Sequence, residues 1–108
     1  QQGQSGSVSI EGNLDYESFL LSPSEPCVKI ASAVIMSQGM EPSRAIADGG
    51  VDANWITVHG IPTVSLGCGQ INAHMVSETL DLNQYLQACQ IGLSIALGCS
   101  AEGIVDEI

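Results

Sequence analysis

In the second half of this chain only one run, Thr63-Val64-Ser65-Leu66, is short, β-rich and bounded by turn signals in the manner of a buried strand. It lies between two helical patterns, one over residues 51–59 and one that begins after Asp81. A lone strand cannot satisfy its own backbone N–H and C=O groups, so it cannot make a sheet. Residues 48–108 therefore require neighbours that they do not contain. The full 108 residues are enough for one small domain or for pieces of two. With one Trp, two Tyr and one Phe, any core must rest on Ile, Leu, Val and Ala.

The first half reads differently. Residues 1–7 are a polar lead-in, and residues 7–14 alternate polar and apolar with the period of a half-buried strand. The cluster Ser22-Pro23-Ser24-Glu25-Pro26 carries helix-start signals. Ser24 is the expected cap, with Pro26 in the first turn, where the backbone N–H would lack a partner anyway. Val28, Ala31, Val34 and Ile35 follow at helical spacing, and Gly39 ends the helix. Residues 42–47 suit a strand. Asp48-Gly49-Gly50 then marks a boundary between residues 1–47 and 48–108. Further on, Asp81-x-x-Gln84 is a capping signal. Leu82, Tyr85, Leu86, Cys89, Leu93 and Ala96 mark one face of a helix that Gly98 closes. The acidic tail, 99–108, is expected to fray. The alternation of strand and helix places the chain in the α/β class.

Charge narrows the function. Twelve acids stand against Lys29 and Arg44, for a net charge of −10, which disfavours nucleic-acid phosphates as partners. No apolar run approaches the ~20 residues that a membrane span needs. The polar start without methionine reads as that of a processed or truncated chain. Cys27, Cys68, Cys89 and Cys99 form no C-x-x-C pair, so buried, reduced thiols and a cytoplasmic setting are expected.

Two constellations can carry chemistry. Asn72-Ala73-His74-x-x-x-Glu78 sits in an irregular, glycine-rich stretch after the strand at 63–66. An imidazole there can bind a metal through one ring nitrogen while a carboxylate fixes the other. A lone histidine in such a loop is more often an ordinary hydrogen-bonded residue, and zinc requires three or four protein ligands. The second constellation is Asp48-Gly49-Gly50-Val51-Asp52-Ala53-Asn54. A glycine pair before a helix allows close backbone approach to a ligand, although Asp52 can serve simply as the helix cap. His59 reads as a helix C-terminal cap, and Met36, Met40 and Met75 as packing. Ser65 and the cysteines have no partner histidine at a recognisable spacing, so nucleophilic catalysis finds no support.

Taken in order, Gly49-Gly50-Val51-Asp52-Ala53-Asn54, His59-Gly60-Ile61-Pro62-Thr63-Val64-Ser65-Leu66-Gly67-Cys68-Gly69, Asn72-Ala73-His74 and Glu78 form a series. The series resembles the closing segment of the co-catalytic dinuclear zinc peptidases, the family of peptidase T, carboxypeptidase G and the aminoacylases. The peptidase T-like branch is the nearest, and the resemblance covers roughly residues 7–100. It implies that residues 1–47 end a ferredoxin-like αβ lid that often makes the dimer. Residues 48–108 would return to a phosphorylase/hydrolase-like catalytic α/β domain.

Carried over by position, His74 matches the family's last zinc ligand. Gly49, Gly50, Asp52 and Asn54 match a segment lining the substrate pocket, and Glu78 matches an acid that supports the histidine. Some relatives have an arginine just before the glycine pair; Asp48 stands here, which removes that means of holding a substrate carboxylate. The remaining family motifs, His-x-Asp, a Glu-Glu pair and a further acidic ligand, are absent from these 108 residues. The implied activity is zinc-dependent hydrolysis of an amide bond in a small peptide or N-acyl amino acid, with the isolated chain inactive. The implied partners are the remainder of its own polypeptide and a second copy. The rival reading is a non-catalytic αβ module that associates with itself through exposed strand edges.

Overall fold

The computed structural model describes residues 3–98. The expected frayed tail and Cys99 lie outside the described residues. Five elements follow one another: α1 (Pro26–Ser37), α2 (Asp52–Val58), β1 (Gln70–Ile71), β2 (Thr79–Leu80) and α3 (Leu82–Ala96). The two strands pair antiparallel, Gln70 with Leu80 and Ile71 with Thr79. The chain is thus a mixture of helix with a small antiparallel sheet.

Local sequence accounts for the helix ends. Pro26 opens α1, but Glu25 takes the cap position with no side-chain bond. Ser24, the expected cap, is engaged elsewhere. Its hydroxyl meets that of Ser22 at 2.7 Å, within a turn closed by the Glu25 N–H donating to the Ser22 carbonyl. Gly39 ends α1 with φ +77, its N–H donating to Met36 while Met40 N–H donates to Ile35. That is the paired bonding of a Schellman turn, in which glycine takes the left-handed position at little steric cost. Gly60 closes α2 in the same way. At α3 the Asp81 carboxylate accepts from the N–H groups of Asn83 and Gln84, as the sequence signal implies.

Packing departs from expectation on α3. Its protected side holds Ala88, Ile91, Ser94 and Ile95, and this side faces α1, whose Val28, Ala31 and Val34 are buried. The face marked by the sequence, with Leu82, Tyr85, Leu86, Cys89, Leu93 and Ala96, is exposed. Hydrophobic periodicity identifies an apolar face but not its partner, and α3 has apolar residues on two sides. Cys68 and Cys89 are accordingly exposed rather than buried; Cys27 is half-buried, and all three are free thiols.

The three expected strands do not form. Among the described residues, 7–14, 42–47 and 63–66 have no strand pairing, and Val8 and Ile10 are 88% and 89% exposed. Alternation specifies a strand only where a sheet edge is on offer. The lack of partners is visible in size. The accessible surface is 8877 Å², against about 5,700 Å² for a compact monomer of this mass. The radius of gyration is 19.9 Å, against about 13 Å for a compact domain of this length. Among the described residues no helix is long and apolar enough to cross a membrane.

Candidate metal-ligand loop and the turn before α2

The stretch expected to be irregular contains the hairpin. Residues 72–78 link β1 to β2, and turns close through Met75 N–H to the Asn72 carbonyl and Glu78 N–H to the Met75 carbonyl. Two residues in this loop have left-handed backbones, Asn72 at φ +53 and His74 at φ +66. Asparagine tolerates that region, whereas for most other side chains it costs about 1–2 kcal/mol.

Glu78 holds His74 in place. One carboxylate oxygen accepts the His74 backbone N–H at 2.9 Å, and the other accepts the Gln70 side-chain amide at 2.6 Å. The Gln70 amide, then the His74 N–H, and last the His74 ring charge hold the Glu78 carboxyl below its ordinary range, against a small opposing desolvation. The carboxylate partner foreseen for the histidine is therefore present, but it fixes the backbone rather than the ring. The His74 side chain is exposed, and its imidazole makes no hydrogen bond among the described residues. It offers a ring nitrogen for a metal at one coordination position. Among the described residues no three of His, Cys, Asp and Glu converge into a metal-holding group. Zinc requires three or four protein ligands, and the described residues present one exposed imidazole here rather than a complete set.

The second constellation closes on itself. Val51 takes the cap position of α2, and Asp52 is the first-turn acid rather than the cap. Asn54 is buried, and both ends of its amide are used: the oxygen accepts Val51 N–H at 2.9 Å and the nitrogen donates to the Glu17 carbonyl at 2.8 Å. Gly50 provides the expected close approach, but to protein. A Cβ placed there would overlap the ring of Tyr16, with the phenol oxygen at 2.6 Å. Gly49 has nothing within 4 Å and stays open. Leu14, Tyr16, Glu17, Asn54, Trp55 and Val58 line a shallow cleft of 210 Å³ beside this turn, smaller than most ligand sites. His59 behaves as expected of a cap, its Nδ1 lying 2.6 Å from the Trp55 carbonyl.

The structure thus joins His74 to Glu78, and Gly50 and Asn54 to the segment at 16–17. No hydrogen bond links the two groups among the described residues. Tyr16, Glu17 and Gln70 were not foreseen from sequence. For Gln70 a signal existed, since positions 70 and 78 flank a loop rich in turn residues. For Tyr16 and Glu17 there was none, because the contact spans 37 residues.

No protein-family model matches the chain, and no solved structure matches it. It is similar to the uncharacterized protein YqjE of Bacillus subtilis (strain 168), at 28% identity over 90 residues. The match covers 83% of this chain and 24% of that protein, so the chain spans about a quarter of its relative's length.

Proposed function

We propose that this chain is the closing segment of a zinc-dependent peptidase or amidohydrolase, to which His74 contributes one metal ligand. The observation that carries the reading is the conformation of His74. An exposed, non-glycine residue is held at φ +66 by a carboxylate that ties its N–H, while its ring is left unengaged. Backbone strain held in place by its surroundings concentrates at functional sites. The fixed backbone orients an imidazole that has no structural use among the described residues.

In this reading residues 1–47 end the lid and residues 48–108 belong to the catalytic domain. Bound zinc supplies Lewis acidity for amide hydrolysis. His74 holds one coordination position, Glu78 sets the direction of its backbone, and the open Gly49 leaves backbone accessible beside the α2 N-terminus. Asn54 and Gly50 act on the turn itself, through Glu17 and Tyr16, and give the substrate wall its shape. The substrate class is a small peptide or an N-acyl amino acid.

The test is made on the full-length polypeptide encoded by the gene. The His74→Ala variant is expected to lose much of one zinc equivalent and most amide hydrolysis, with its fold retained. Undiminished zinc content and turnover in that variant refute the assignment.

A further inference from the structure

Helix α3 carries apolar residues on two opposite sides, and α1 occupies only one of them. At 3.6 residues per turn, Leu82, Leu86, Cys89 and Leu93 lie within about 40° of the point opposite Ile91, and Leu97, the C-cap, extends the same side. Along this outer stripe Leu82, Leu86, Leu93 and Leu97 are 67%, 60%, 60% and 74% exposed, and Cys89 is an exposed free thiol. A helix that is apolar on both sides belongs inside a protein, between two layers. Two further features agree. Although the chain carries a net charge of −10, the α3 sequence LNQYLQACQIGLSIA contains no charged residue. Gly92 lies within this helix with nothing within 4 Å of its missing Cβ, so room is left that no described residue fills.

We infer that the outer stripe of α3 is a docking face, and that its occupant is an uncharged, apolar face of the same polypeptide outside residues 1–108. The length relationship supports this occupant, since the matched segment is 24% of its relative. The inference rests on the proposed function only in requiring a longer polypeptide. A second copy of the chain is the weaker occupant. Pairing α3 with itself would cover the stripe but leave 7–14 and 63–66 without strand partners. A self-pairing seam of fifteen residues is also short for a stable helix pair.

Thiol alkylation followed by peptide mass spectrometry tests the inference. In the 108-residue chain Cys89 is expected to react at the rate of a denatured control. In the native full-length polypeptide the rate should fall by about tenfold or more, because reaction then requires a local opening. Leu93→Gln should leave the helical circular dichroism of the 108-residue chain unchanged and lower the melting temperature of the full-length protein. Equal Cys89 reactivity in both proteins overturns the inference. So does a stable dimer of the 108-residue chain in which Cys89 is protected, and so does a gene that encodes nothing beyond this chain. Zinc content reads the functional proposal separately. Protected Cys89 without zinc retains the docking face and removes the metal reading, and reactive Cys89 with full zinc does the reverse.

Discussion

Asn54 donates its side-chain amide to the Glu17 carbonyl at 2.8 Å, fastening a segment that has no strand pairing among the described residues to the first turn of α2. Because the same amide accepts Val51 N–H, its removal strands two backbone groups at once. Asn54→Ala is expected to cost about 1–3 kcal/mol, the range for leaving a buried partner unsatisfied. Limited proteolysis should then cut around residues 14–17 faster than in the parent chain. An unchanged cleavage rate would remove the clamp from Asn54.

The two glycines beside the candidate sites should respond differently to alanine. At Gly50 the obstacle is the far end of the Tyr16 side chain, which is partly exposed and can swing away. Gly50→Ala is therefore expected to cost about 1 kcal/mol and to release Tyr16 into solvent. At Gly69 the obstacles include the Asp81 carbonyl at 2.9 Å and the Tyr85 nitrogen at 3.2 Å, and φ is +82. Backbone cannot swing aside. Gly69→Ala should cost on the order of 2–4 kcal/mol, from the left-handed strain and the overpacking together. Urea denaturation of the two variants orders them, and an equal cost would contradict the geometry.

The left-handed backbone of His74 predicts different effects for two small replacements. His74→Gly relieves the strain and should raise stability by up to about 1 kcal/mol, whereas His74→Ala retains it and should stay within roughly half a kcal/mol of the parent. Neither side chain can bind metal. In the full-length protein both variants should lose zinc to the same degree, although their stabilities differ. Zinc loss that tracked stability instead would mark His74 as structural.

Glu78 gives the loop a pH dependence of definite sign. Its carboxyl is held below the ordinary value of 4.5 in the folded chain, so its contribution is complete above that value. The contribution is lost as pH falls through the lowered folded value. Protonation removes acceptor capacity from the oxygens that hold Gln70 and the His74 N–H. The His74 amide resonance should therefore shift, and its hydrogen exchange should quicken relative to other loop amides, only on the acid side of 4.5. In Glu78→Gln that acid step should disappear. A step persisting in the variant would assign the titration to another group.

Sequence patterns gave the helices well because their signals are local. Pro26, Gly39, Gly60, Asp81 and Gly98 each act within a few residues of the helix end they define. The strands expected at 7–14, 42–47 and 63–66 do not form because a strand is a relation between two segments, and among the described residues no segment pairs with them. The face of α3 failed for a related reason. Both sides of that helix satisfy the periodicity, and only the position of α1 selects Ile91. At the candidate site His74 and Glu78 were found from their order in the chain. The atom through which they meet, a backbone N–H, leaves no trace in residue identities.

The His74 hairpin is not free to orient itself. Asp81 N–H donates to the Gly69 carbonyl at 2.9 Å, and Gly69 lies against Gln84 and Tyr85, so the hairpin base is fixed to the first turn of α3. The fifteen residues of α3 form a rod about 22 Å long. If that rod pivots at its far end, a tilt of only ~10° carries the hairpin base through roughly 4 Å. A metal–ligand bond tolerates a displacement of about 0.2 Å. Under the proposed metal reading, any shift of α3 beyond that tolerance must be taken up by the His74 side-chain torsions, so the seating of α3 sets how far the imidazole has to reach.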